Sequence, residues 1–276
     1  STHCISSAAS DVYKRQEVIH RMHALGKERT GETYTSTLNS FMRFRRNKDI
    51  LWEEFDADLL VSYEAYLKST GVDMNTISFY NRILRAVYNR AVEKGLTTQR
   101  YPFKYVYTGI GKTVRRGLPL KVIRNIKYMD LSTFPLLDYA RDMFLFSFYT
   151  RGMSFIDMAY LKKSDLKNGI LTYRRKKTGQ RLWIGWEKDM QDILDKYPVT
   201  QGSPYLLPII REAGAKERTQ YNSALHLINR KLKSIGEMLD ISIPLTMYVA
   251  RHSWASVAKS KNIPLSAVSY THLTLP

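Results

Sequence analysis

The stretch Thr246-Met-Tyr-Val-Ala-Arg-His-Ser-Trp-Ala255 decides how the second half of this chain is read. Extended to about residue 260, it carries Ala250, Trp254, Val257 and Ala258 at helical spacing, so a helix starting after Pro244 turns them inward. Tyr248, Arg251, His252 and Ala255 then share one face of that helix. An arginine shown in this way is either a surface ion-pair residue or an anion ligand, and the rest of the chain has to decide between them.

Working back toward the N-terminus, residues 170–175 and 181–186 flank Lys177-Thr178-Gly179-Gln180, which reads as a β-hairpin with a glycine-containing turn. Residues 136–148 are apolar nearly all round, the pattern of a central buried helix. Further helices are expected at about 186–196 and 219–239. In the latter Tyr221, Leu225, Ile228, Leu232, Ile235 and Leu239 form the inward stripe. The second half therefore reads as mixed helix and strand.

The first half reads as helices alone. Leu38, Phe41 and Met42 follow Tyr34 at helical spacing, and Leu60, Tyr63 and Leu67 repeat the pattern. After Asn75, the residues Ile77, Tyr80, Leu84, Val87, Tyr88 and Ala91 form one stripe, and Gly95 closes the helix. Asn81, Arg82, Arg85 and Asn89 are expected on its other face. With a short helix near residues 18–25, this makes a bundle of about four helices ending near residue 100. Pro102 and Pro119 interrupt regularity in the next stretch, which is basic through Lys104, Lys112, Arg115, Arg116, Lys121 and Arg124. A basic connector of this kind is either a solvated linker or a phosphate contact. The expected organisation is a helical domain over 17–110, a basic linker over 111–124 and a mixed domain over 125–267.

Charge narrows the function. In 276 residues, 43 lysines and arginines face 25 aspartates and glutamates, a net charge of +18, which points to a polyanionic partner. The basic residues are spread along the chain and interleaved with Tyr, Asn and Thr, rather than gathered on one amphipathic helix as membrane binding favours. That favours nucleic acid. No run approaches the length of a membrane span. The single cysteine, Cys4, can form neither an internal disulfide nor a metal cluster, which fits a reducing, cytoplasmic setting. Gly-rich phosphate loops, nucleophile elbows and zinc-protease motifs are absent. What remains is a set of basic side chains at structured positions. Phosphoryl transfer without a metal needs such a set, because fixed cationic donors stabilise the charge that builds on the non-bridging oxygens.

Three stretches in order carry a resemblance to a known family. The 246–255 segment resembles the His-x-x-Arg-His box of the tyrosine recombinases (phage integrases). Phe148-Tyr-Thr-Arg-Gly-Met-Ser-Phe-Ile-Asp-Met-Ala-Tyr-Leu-Lys-Lys-Ser-Asp-Leu166 resembles the family's first arginine box, and Arg175-Lys-Lys-Thr-Gly-Gln180 the hairpin that carries its lysine. The helical first half, especially Asn75-Thr-Ile and Leu84-Arg-Ala-Val-Tyr-Asn89, is similar to the SAM-like core-binding domain. The resemblance covers about residues 17–267 and is strongest to integrases of conjugative transposons.

It implies a mainly α fold with a small β component: a helical SAM-like core-binding domain followed by an α+β catalytic domain. It also implies strand cleavage through a 3′-phosphotyrosyl intermediate, double-stranded DNA as partner, and a homo-oligomer of four protomers on two duplexes, with neither metal nor other cofactor. Arg251 matches the second catalytic arginine, with His252 as a supporting residue. Lys177, with Lys176 as rival, matches the lysine that protonates the leaving 5′-oxygen, a role suited to a lowered pKa. Tyr248 replaces a histidine and can donate a hydrogen bond. When Asp157 is aligned with the acidic residue of the first box, Ser154 falls in the first arginine's column. Arg151 lies one helical turn earlier if the helix persists through Gly152, which leaves Arg151 as the arginine and Ser154 as a hydrogen-bond donor. DNA contacts are expected from Asn75, Asn81, Arg82, Arg85, Arg115 and Arg116.

Residues 1–16 and 268–276 break the composition of their neighbours and read as foreign tails. The family's tyrosine falls downstream of the region where the match ends, and Tyr270 lies in the foreign-looking tail, so the chain reads as a truncated piece without its nucleophile. Two rivals stand beside this reading. One is a non-catalytic DNA-binding protein on the same scaffold, such as an excision factor or a decayed integrase. The other is a basic RNA-binding protein, which would prefer single-stranded or A-form RNA.

Overall fold

The computed structural model describes residues 28–48, 50–111, 116–198 and 202–261. The chain divides into two compact units, Ser1–Thr113 and Val114–Pro276. The expected helix near residues 18–25, the tails, Tyr270 and Arg115 lie outside the described residues.

The first unit consists of α1 (Glu28–Phe44), a 3-10 turn (Trp52–Glu54), α2 (Ala57–Ser69) and α3 (Met74–Glu93). Its caps are those the sequence provides. Asp56 accepts a hydrogen bond from the Leu59 amide at 2.8 Å, and Asp73 accepts from the Asn75 and Thr76 amides, which satisfies backbone donors the first helical turn leaves free. Gly95, at φ +68°, ends α3 with the Leu96 amide donating back to the Ala91 carbonyl. Phe41, Phe55, Leu60, Tyr63, Leu67, Ile77, Leu84 and Tyr88 form the core, and Phe103 and Val106 close it. Phe41 meets Tyr63 edge-on with ring centroids 5.1 Å apart, a favoured aromatic geometry.

One expectation fails here. Asn81 is fully buried rather than on the exposed face. It lies four residues after Ile77 and three before Leu84, so helical geometry puts it on the inward stripe, while Tyr80 and Val87 are only half-buried. Its amide donates to Glu64 (3.2 Å) and to the Tyr107 carbonyl (3.0 Å), and these partners make the burial tolerable.

The second unit contains α4 (Leu120–Tyr128), α5 (Pro135–Tyr149), α6 (Phe155–Ala159), β1 (Leu166–Lys167), β2 (Ile170–Arg174), β3 (Arg181–Gly185), α7 (Lys188–Lys196), α8 (Glu217–Met238) and α9 (Met247–Ser260). The three strands form one antiparallel sheet in the order β1-β2-β3, with Arg174 opposite Arg181 at the hairpin end. α5 is the central helix: Met143, Phe144 and Phe146 are fully buried, each contributing about 1.5–3 kcal/mol by burial, and α8 and α9 pack on it. α4 begins inside the stretch expected to be a connector, and Leu118 and Ile123 already belong to this core.

An ionic cluster fixes one side of α5. Arg141 pairs with Asp138 and Asp142 and donates to the carbonyls of Lys127 and Met129. Lys196 pairs with the same two aspartates, and the Tyr197 hydroxyl donates to Asp142 at 2.7 Å. α7 is thereby tied to α5, which sets the position of the hairpin that precedes it.

Candidate active site

α5 does not persist through Gly152. It ends at Tyr149, and Arg151 and Gly152 follow with φ of +62° and +70°. The Gly152 amide donates to the Ser147 carbonyl at 2.8 Å and the Arg151 amide to the Phe148 carbonyl at 3.2 Å, closing the helix with a left-handed turn. A methyl group on Gly152 would lie 2.9 Å from the Cα of Arg251 and 3.1 Å from its Cγ, so the turn rests directly on α9 beside Arg251. Glycine is required there by both conformation and space.

Arg151 and Arg251, nearly a hundred positions apart in sequence, are thus brought together. Both also act electrostatically on the Tyr173 hydroxyl on β2, as do Asp157 and Arg175. Arg151 is half-buried, and burial holds its guanidinium below the ordinary value against the opposing pull of Glu187 and Tyr173. Glu187 lies in the same cavity of about 390 Å³, and burial raises its carboxyl against the pull of Arg151. Arg251 is half-buried on the outward face of α9. Tyr248 is 59% exposed on that face, its ring edge-on to His252 with centroids 4.4 Å apart. Tyr248 and His252 thus meet on α9, the helix that also carries Arg251.

Ser154 caps α6. Its hydroxyl donates to Asp157 at 2.6 Å and accepts from the Asp157 amide at 3.4 Å. The other carboxylate oxygen of buried Asp157 accepts from the Lys176 amide at 2.8 Å, which ties the hairpin turn to α6. The hydroxyl proton of Ser154 is thus committed to the cap. The turn itself is closed by Arg175 and Gln180, with the Arg175 amide donating at 2.8 Å, and Gly179 takes φ +69°. The two lysines separate: Lys176 lies over the Tyr160 ring at 3.4 Å, while Lys177 is exposed at the tip. The chain entering the unit crosses α9, where the Leu118 amide donates to Ser253 Oγ at 2.9 Å and Gly117 packs on Ser256 and the His252 carbonyl. Arg116, just before it, is exposed.

In the first unit Arg82 and Arg85 are exposed on α3, as expected. The Asn75 side chain instead accepts from the Gly111 amide at 2.8 Å and holds the end of the unit. Asn81 is withdrawn from any surface. Tyr173 and Glu187 are not among the residues expected from sequence. The alternation of Leu171 and Tyr173 along β2 offers a signal for the former, and nothing local marks the latter. Among the described residues no cluster of His, Cys, Asp and Glu is arranged to hold a metal ion. No described helix is long and apolar enough to cross a membrane.

Residues 15–106 match the phage integrase SAM-like domain. Among curated proteins nothing matches the chain. Among solved structures, it is similar to a lambda integrase dimer bound to a COC′ core site, with TM-score 0.65 and 15% identity over 93% of this chain and 90% of that one. A lambda integrase tetramer bound to a Holliday junction matches with TM-score 0.62 and 14% identity, covering 95% and 77% of the two chains. The Tn1549 transposon integrase in complex with transposon right end DNA matches with TM-score 0.62 and 13% identity, covering 93% and 89%. Residues 15–106 carry the match to the phage integrase SAM-like domain, the second unit mixes helix and sheet, and the fold is similar to that of the lambda and Tn1549 integrases.

Proposed function

We propose that this chain belongs to a site-specific DNA recombinase that cuts and rejoins strands through a 3′-phosphotyrosyl intermediate. The observation that carries the proposal is the seating of the Arg151–Gly152 turn on Arg251, with both arginines acting on the Tyr173 hydroxyl, an arrangement that supports a shared grip on one phosphate. In this reading Arg151 and Arg251 bind the non-bridging oxygens of the scissile phosphate and stabilise the charge that builds there. The tyrosine hydroxyl gives up its proton to solvent as its oxygen bonds to phosphorus, the bond to the 5′-oxygen breaks, and Lys177 gives that leaving oxygen its proton. Energy is retained in the phosphotyrosyl bond, so rejoining needs no nucleotide triphosphate. The nucleophile is expected downstream of the region that matches the family, and Tyr270 is not assigned that role. Tyr248 and His252 support Arg251 from the same helix face. Arg82, Arg85, Arg115 and Arg116 contact duplex phosphates. Four protomers assemble on two duplexes, a reading supported by the likeness to the lambda integrase tetramer bound to a Holliday junction, and the setting is cytoplasmic.

A non-catalytic DNA-binding role is favoured by one observation, the commitment of Ser154 to the α6 cap in the column of the first arginine. Replacing Arg251 by alanine separates the two. With the natural C-terminus restored, a recombinase forms a covalent adduct on nicked duplex DNA that Arg251→Ala abolishes while much of the binding remains. A binding protein forms no adduct with or without the arginine.

A further inference from the structure

β2 sits between β1 and β3, and its side chains alternate. Leu171 and Tyr173 turn into the core, while Ile170 and Arg174 face solvent. Tyr173 is 8% exposed and packs with the α5 core, so its ring is held in place from most sides. Packing alone would be served by phenylalanine. The hydroxyl is what needs an account, because no described residue hydrogen-bonds to it, and it is not among the polar atoms sealed from solvent. A phenol so placed normally finds a partner. The groups around it are Arg151 from the α5 turn, Arg251 from α9, Arg175 from the hairpin and Asp157 from α6. Three cations and one carboxylate already bonded to Ser154 and Lys176 make this an environment for an anion.

We infer that the Tyr173 hydroxyl is a third donor to the phosphate held by Arg151 and Arg251, an uncharged one fixed by the core. The inference rests on the recombinase reading of the same site and adds a catalytic residue to it. Burial, and the carboxylate of Asp157, push the phenol up despite the neighbouring arginines, so it stays protonated and able to donate throughout the physiological range. A neutral donor complements two flexible guanidiniums: it fixes the direction of one oxygen without adding charge that must be desolvated.

The test is duplex binding by the chain as it stands, using random-sequence DNA of about three helical turns across a salt series. Tyr173→Phe should weaken binding about 10-fold or more, as expected for a hydrogen bond to a charged group, and leave the slope of log K against log salt unchanged, since no cation is lost. In an Arg251→Ala background the same change should have little further effect, because the phosphate is no longer held. Incorporating 3-fluorotyrosine at position 173 keeps the ring, makes a stronger donor and should bind at least as tightly as the parent. It also provides the readout should Tyr173→Phe fold poorly. Binding by Tyr173→Phe within twofold of the parent, or a loss fully additive with Arg251→Ala, overturns the inference. If Arg151→Ala and Arg251→Ala each leave the salt slope of binding unchanged, neither guanidinium touches phosphate and the recombinase reading of the site fails instead.

Discussion

Replacing Gly152 by alanine puts a methyl group 2.9 Å from the Cα and 3.1 Å from the Cγ of Arg251, on a residue whose φ is +70°. The left-handed backbone alone costs an alanine about 1–2 kcal/mol. Forcing a methyl group against the α9 backbone adds about 1–3 kcal/mol, because neither the turn nor the helix can yield freely. The sum is about 2–5 kcal/mol, and for a unit of this size it lowers the melting temperature by about 4–20 °C. Gly179 supplies the control: its φ is +69° but nothing lies within 4 Å of the added methyl, so Gly179→Ala carries only the first cost. Thermal unfolding followed by near-ultraviolet circular dichroism reads both. Duplex binding at fixed salt should fall for Gly152→Ala and hold for Gly179→Ala, since only the former displaces Arg251. Equal melting temperatures for the two variants would refute the seating of the Arg151 turn on α9.

Three further expectations follow from the packing. Asp142→Ala removes a buried carboxylate bonded to Arg141, Lys196 and Tyr197 and leaves Arg141 without its full complement; chemical denaturation should show a loss of about 3–5 kcal/mol in the second unit. Burial pushes the Glu64 carboxyl up, but hydrogen bonds from Lys68, the Tyr107 amide and Asn81 outweigh it and hold it below the ordinary 4.5. Its stabilisation is therefore present above pH 4.5 and lost as pH falls through the lowered value, so the first unit should melt earlier in acid, and Glu64→Gln should flatten that dependence. Arg85→Ala should weaken duplex binding and reduce its salt slope by about one, whereas Asn81→Ala should destabilise the first unit by about 1–3 kcal/mol and leave the slope alone.

The helices and the hairpin are legible in the sequence because their signals are local. The α9 stripe of Ala250, Trp254, Val257 and Ala258 is buried throughout, and the Lys177-Thr178-Gly179-Gln180 turn lies between paired strands. Asn81 misleads because its residue type suggests a surface, although its spacing from Ile77 and Leu84 already puts it on the buried stripe. Its burial also depends on Glu64 and Tyr107, partners that sequence does not reveal. α5 ends at Tyr149, close to the expected 148, but the helical route that would carry Arg151 through Gly152 is not realised. A single glycine is tolerated within a helix, yet contact with Arg251 and the left-handed φ at Arg151 make Gly152 part of a terminator. Arg151 therefore reaches the site through a turn rather than along a helix face. Ser154 shows the opposite case: a serine three residues before an aspartate is a cap signal that the resemblance obscures. The convergence of Tyr173 and Glu187 on Arg151 is purely tertiary, and no spacing rule brings those positions together.

Strand cleavage is the central claim, and covalent capture on DNA tests it most directly. The natural reading frame, recovered from its source DNA in place of residues 268–276, would be incubated with a nicked duplex that loses its 5′-hydroxyl fragment after cleavage, so that any phosphotyrosyl adduct is trapped and resolved on a denaturing gel. The account predicts an adduct that disappears with Arg151→Ala or Arg251→Ala while duplex binding persists. An adduct that survives loss of both arginines, or DNA binding with no adduct from the extended frame, would contradict it.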